Sequence, residues 1–263
     1  MKKFKSEDYK DIVLNIMGYI DNICRDNSLE YMIFYGSLLG AVRHKGFIPW
    51  DDDIDIVMPR DSYDKLRDII NQNDDYYYFI DFYSSDDTIY SFGKICDTRT
   101  TVIDKNFRNV SKYGAFVDVF PLDNFNPNKK DDCNVVNKCK RLNRIKAIFA
   151  RKKPSKELRG IKYLKGIIAS AISSPQITRR LIGKIDSLSR TLNSEIKLFY
   201  CVSQYDHYYS KNDLFPCREY DFEGKLFYGP NNYDLILRYE YGDYMKLPPE
   251  DERIPHSIDC YWN

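Results

Sequence analysis

The chain has 263 residues, 43% of them apolar, and a formal net charge of +1, which exclude a disordered polymer and single out no partner by bulk charge; no nucleic-acid partner is expected. Seven cysteines without C-x-x-C spacing argue against a zinc ribbon or a disulfide framework and fit free thiols in a reducing compartment. No apolar run of about 18 residues offers a membrane span, and charges interrupt the basic start, so no signal peptide is expected and the expected location is cytoplasmic.

In chain order, Ile12, Val13, Ile16, Met17, Ile20, Ile23 and Cys24 recur at helical spacing within 7–26, with Ser6 as N-cap. YMIFY (31–35) reads as a short buried strand broken at Gly36-Ser37, LLGAVR (38–43) as a short helix and HKGFIPW (44–50) as a loop. IDIVM (54–58) reads as a strand bounded by Pro59, and RDSYDKLRDII (60–70) as an amphipathic helix. YYYFIDFY (76–83), IYSFGKICD (89–97), TTVIDK (100–105) and AFVDVF (115–120) are strand-like and joined by polar turns. Strands and helices mix without strict βαβ alternation, which predicts an α+β domain: a mixed sheet with flanking helices.

From 131 to about 199 the pattern is helical, with breaks near Pro154 and Pro175, and residues 129–190 carry 18 Lys/Arg against 4 Asp/Glu. A solvated helical face accounts for this. So does a surface for acidic lipid headgroups or a phosphorylated polymer, and RGIKYLKGIIASAIS (159–173) has the form of an interfacial helix. EYDFEGKLFYGP (219–230) reads as one or two strands, NYDLILRYEYG (232–242) as a helix ending at glycine, and the remainder as irregular. The expected organisation is a catalytic core over 1–128, a basic helical insertion over 129–200, and a segment over 201–263 that completes the core.

The densest chemistry is FIPWDDDIDIVMPR (47–60), where Asp51, Asp52, Asp53 and Asp55 run into an apolar strand. Residues i and i+2 of a strand share a face, so Asp53 and Asp55 project together while Ile54 and Ile56 pack beneath. Two hard oxygen ligands side by side suit Mg²⁺ or Mn²⁺, with phosphates and water completing the shell. An EF-hand loop fails, because counting from Asp51 puts Ile56 and Ser62 where glycine and glutamate are needed. A solvated acidic loop fits poorly beside an apolar strand, and the D-x-D of a metal-dependent glycosyltransferase stays open. Upstream, Gly36 allows close backbone approach, while the Ser37 hydroxyl and helix-start amides can donate to a phosphate. Downstream, Asp118 sits among apolar neighbours in FVDVF (116–120). Strand–Gly-Ser–helix, D-x-D and a third strand aspartate together match the site of the nucleotidyltransferase fold.

YGSLLGAVRHKGFIPWDDDIDIVMPRDSYDKL (35–66), FGKICDTRT (92–100), GAFVDVFPLD (114–123), YDLILRYEYGDYMKLPP, Arg253 and His256 strongly resemble the LicD family of bacterial phosphotransferases, distantly related to fukutin-type proteins. The resemblance covers most of the chain outside the basic middle. It implies a nucleotidyltransferase-like core that moves a phosphorylated small alcohol, such as phosphocholine or glycerol or ribitol phosphate, from a CDP-activated donor to a sugar hydroxyl. The acceptor implied is a glycan or lipid-linked glycan of the cell surface, such as a lipopolysaccharide, capsule or teichoic acid precursor, and CMP is released. It implies that Asp53, Asp55 and Asp118 hold one or two Mg²⁺ or Mn²⁺ ions, with Asp118 as ligand or as base. Gly36, Ser37, Arg43, Lys94, Trp50, Arg253 and His256 are the candidates for donor binding. His44 reads as structural. Many members carry paired histidines, whereas here Ser257 follows His256. The enzyme is expected at the inner face of the cytoplasmic membrane, its basic helices against anionic lipid. A nucleotidyltransferase using an NTP and a non-catalytic glycan- or lipid-docking protein are the alternatives.

Overall fold

The computed structural model describes residues 4, 6–73, 76–152, 174–193, 198–200, 208–253 and 258–263. Helix α1 (Ser6–Asp26) forms because its apolar positions return every three or four residues. Val13, Ile16, Met17 and Ile20 are fully buried, and each such side chain contributes about 1.5–3 kcal/mol on burial. Strand β1 is shorter than YMIFY, Met32–Ile33, because Tyr35 takes φ +45° and turns the chain into a helix. That helix, α2, spans Tyr35–Arg43, so Gly36 and Ser37 lie in its first turn instead of preceding it. Strand β2 (Asp55–Pro59) leads directly into α3 (Arg60–Gln72).

Strand β3 (Tyr77–Ile80) stops well before residue 83, since the Asp81 carboxylate accepts from the amides of Tyr83 and Ser84 and closes a turn. Strands β4 (Gly93–Asp97), β5 (Thr100–Asp104) and β6 (Ala115–Asn124) follow. The central sheet runs β1-β2-β6-β4-β3. Its β2–β6 pairing is parallel and the others antiparallel, the mixed sheet of an α+β protein. Helix α1 packs on β6 and β4, and α3 on β2, β3 and β6. A Cβ on Gly93 would meet Phe79 and the Tyr63 hydroxyl of α3. Alternate strand residues face opposite sides, so α3 covers the Gly93 face while Lys94 and its row face α1.

Helix α4 (Lys130–Ala150) and α5 (Pro175–Ser189) pack on one another and share a small core of Phe125, Val136, Cys139, Ile185 and Leu192. Pro175 opens α5: it stands at the first helical position, where no amide bond is lost, and the Ser174 hydroxyl accepts from Ile177 N. The helical expectation to 199 is corrected at its end, where β7 (Leu198–Tyr200) pairs with β6 and with β8 (Tyr208–Ser210). Pro154 and the 159–173 segment lie outside the described residues.

A short helix α6 (Lys211–Leu214) and a β9 (Arg218–Phe222)–β10 (Lys225–Gly229) hairpin follow. Helix α7 (Tyr233–Tyr241) ends at Gly242, whose φ of +67° suits glycine. The tail is not irregular throughout. It holds a 3₁₀ turn at Glu250–Glu252 and a strand, β11 (Ile258–Trp262), antiparallel to β5. Among the described residues the six cysteines are all free, and no helix is long and apolar enough to cross a membrane.

Candidate active site

Register builds the site. Asp55 of β2 stands opposite Asp118 of β6, and Asp118 opposite Lys94 of β4, so the three form one row on one face of the sheet. Asp53 precedes β2 rather than belonging to it, yet one carboxylate oxygen from each of Asp53, Asp55 and Asp118 lies within 4.8 Å of the others. Asp118 is buried, and Asp53 and Asp55 are half-buried. Burial pushes the Asp55 carboxyl well above its ordinary value, and the charges of Asp53, Asp118 and Asp51 push it further, against Lys94. Three hard oxygen donors compressed in this way fit a divalent cation, whose charge relieves their repulsion.

Lys94 Nζ donates to Asp118 Oδ1 at 2.5 Å. Around it stand the rings of Phe116 at 3.6 Å, Tyr90 at 4.5 Å, Phe92 at 5.3 Å and Tyr113 at 5.7 Å. Burial alone would depress this ammonium, but the Asp118 charge, with Tyr90 and the hydrogen bond, outweighs it and the net direction is upward. Lys94 is therefore a cation locked to a carboxylate in an aromatic box.

The start of α2 serves the same row. The Ser37 hydroxyl accepts from Asp55 N at 2.8 Å, and Phe34 N donates to Asp55 O at 2.9 Å. The Ser37 and Leu38 amides both donate to Phe34 O. Ser37 thus positions the carboxylate strand, and those two amides are engaged within the chain instead of pointing at a phosphate. A Cβ on Gly36 would come within 2.7 Å of Asp51 Oδ2, so glycine there makes room for the acidic loop.

Arg43, Trp50 and Arg253 come together beside that loop. Arg43 Nε donates to His44 Nε2 at 2.9 Å and its Nη1 to Tyr244 O at 2.7 Å. His44 packs edge-on to Trp50, and the Arg253 guanidinium lies 5.1 Å from the Trp50 ring centroid. Burial, aided by Arg43, holds the His44 imidazole below its usual pKa, which suits an acceptor. His256 lies outside the described residues. The aromatic wall of Tyr90, Phe92, Tyr113 and Phe116 went unnoticed in the sequence, because its members come from one strand and two separate loops. The only local hint was a lysine inside an apolar strand.

A mixed sheet presenting three carboxylates from a pre-strand loop and two neighbouring strands defines the nucleotidyltransferase class of catalytic domain. Residues 28–149 match the family model described as LicD/FKTN/FKRP, nucleotidyltransferase domain. The chain is 31% identical over 276 aligned residues to the lipopolysaccharide cholinephosphotransferase LicD of Haemophilus influenzae, covering 98% of each protein. It is also 37% identical over 73 residues to an uncharacterized protein of Rickettsia prowazekii, 27% of each chain, and 34% identical over 73 residues to one of Rickettsia typhi. The chain belongs to the LicD family and is a LicD-type transferase.

Proposed function

We propose that this enzyme transfers phosphocholine from CDP-choline to a sugar hydroxyl of a cell-surface glycan, a lipopolysaccharide precursor being the first candidate acceptor, with release of CMP. The observation that carries this reading is the near full-length similarity to a lipopolysaccharide cholinephosphotransferase, on a chain whose Asp53, Asp55 and Asp118 converge. In the reaction the acceptor oxygen forms a bond to the phosphorus of phosphocholine, the bond from that phosphorus to the CMP oxygen breaks, and the hydroxyl proton passes to solvent water. Asp53, Asp55 and Asp118 hold Mg²⁺ or Mn²⁺, which supplies charge neutralisation on the diphosphate.

Lys94 fixes the orientation of the Asp118 carboxylate, and a carboxylate already bound to an ammonium is a poor base. That favours a ligand role for Asp118 over general-base catalysis. Ser37 and Gly36 hold β2 and the acidic loop in register beneath the diphosphate, while Arg43, Trp50 and Arg253 offer cationic and aromatic surface to the cytidine end. Residues 1–128 and 201–263 form one catalytic unit in this reading, interrupted by the basic 129–200 segment. That segment holds the enzyme against anionic lipid at the inner membrane face, near a lipid-linked acceptor.

Incubation with a panel of CDP-alcohols and Mg²⁺, with CMP as the readout, tests the donor. Preferential CMP release from CDP-choline is expected. Pyrophosphate release from an NTP would reassign the enzyme as a nucleotidyltransferase, and flotation with no preference for anionic vesicles would remove the membrane contact.

A further inference from the structure

Tyr9 lies in the first turns of α1, only 4% exposed, and among the described residues its hydroxyl has no hydrogen-bond partner. The packing of its helix fixes which face of the sheet Tyr9 meets. Helix α1 lies against β6 and β4 on the face that carries Asp118 and Lys94, since α3 occupies the Gly93 face. The neighbouring Lys10 reaches the acidic loop's approach, donating to Ile48 O at 3.4 Å and lying 5.0 Å from the Phe47 ring centroid. The first turns of α1 therefore stand over the junction of loop and sheet where the carboxylates converge. The electrostatics agree: burial, then Asp52, Cys260, Asp53 and Asp118, raise the phenol well above its usual pKa, so the hydroxyl keeps its proton and is a donor at neutral pH.

A buried phenolic hydroxyl without a partner is a cost that folded proteins rarely carry. Carboxylates engaged with a cation do not need it. The group that would enter this site bearing surplus acceptor oxygens is a diphosphate. We propose that Tyr9 is a substrate-contacting residue, whose hydroxyl donates to a phosphate oxygen of the bound donor and whose phenol ring closes the carboxylate site from the α1 side. This rests on the CDP-choline reading for the identity of the donor, but not for the phosphate chemistry.

Tyr9→Phe removes only the hydroxyl and separates this role from a structural one. A hydrogen bond to a charged phosphate oxygen predicts a fall in kcat/KM for CDP-choline of about 10- to 100-fold, and a comparable weakening of Mg²⁺-pyrophosphate binding by calorimetry. Because the deleted group has no partner among the described residues, the Tm of ligand-free Tyr9→Phe is expected to equal that of the wild type or exceed it by about 2–4 °C. A drop in Tm of several degrees would reveal an internal partner and overturn the proposal, as would kinetics and pyrophosphate binding within twofold of wild type. If the wild-type enzyme releases no CMP from CDP-choline, the donor assignment falls. Pyrophosphate binding then decides on Tyr9 alone: weaker binding to Tyr9→Phe supports the contact, and equal binding overturns it.

Discussion

Replacing Lys94 by methionine tests the electrostatic design of the site. Methionine fills a similar volume among Tyr90, Phe92, Tyr113 and Phe116, so packing is preserved. What disappears is the charge 2.5 Å from Asp118. At an effective dielectric of about 20 the gross attraction is about 7 kcal/mol, and desolvation of the buried ammonium offsets part of it. Removing one member of such a pair costs about 3–5 kcal/mol, because the partner is left as an uncompensated buried charge. For a chain of this size that corresponds to a Tm lower by about 6–20 °C. Urea denaturation in EDTA, followed by circular dichroism, measures the loss. Added Mg²⁺ should recover part of it by supplying a replacement cation, and Lys94→Met/Asp118→Asn should recover most. A loss under about 1 kcal/mol in EDTA, or no recovery by either route, would refute the reasoning.

Asp55→Asn should show a pH signature in chelator. The folded pKa of Asp55 lies above its unfolded value, so the stability its protonated form contributes is fully present below about pH 3.9 and lost as pH rises through the folded value. The Tm of Asp55→Asn relative to wild type should therefore climb between those two values, and a constant difference would contradict the shift. Ser37→Ala leaves the Asp55 amide without its acceptor and should cost about 1–3 kcal/mol in a denaturant titration. Gly36→Ala forces Asp51 aside; kcat/KM for the CDP-alcohol should fall about tenfold while stability falls by no more than about 1–3 kcal/mol.

The pair Asp53 and Asp55 was legible because a dense run of aspartates entering an apolar strand has few structural uses. Asp118 was legible as a charged position inside a buried strand, but its contact with Asp55 is set by parallel register between β2 and β6, which no local pattern encodes. Lys94 drew attention as a lysine in FGKIC, and its partner Asp118 became visible only once β4 was aligned with β6. Ser37 drew attention as part of a phosphate cradle at a helix start, and the structure adds a second role, in which its hydroxyl accepts from the Asp55 amide. Tyr9 had no signal, since on an amphipathic helix a buried tyrosine looks like any core residue. Strand β11 was missed because its partner, β5, lies about 150 residues upstream, beyond the reach of any local reading.

The central claim is that Asp53, Asp55 and Asp118 hold the divalent cation through which phosphocholine transfer from CDP-choline depends on this site. Transfer of radiolabelled phosphocholine from CDP-choline to lipopolysaccharide, measured with Mg²⁺ and with EDTA for wild type and Asp55→Asn, tests it directly. Transfer by the wild type in Mg²⁺ alone, and a loss of at least about 1,000-fold in EDTA or in Asp55→Asn, is the predicted result. Undiminished transfer in EDTA, or full activity of folded Asp55→Asn, would contradict it.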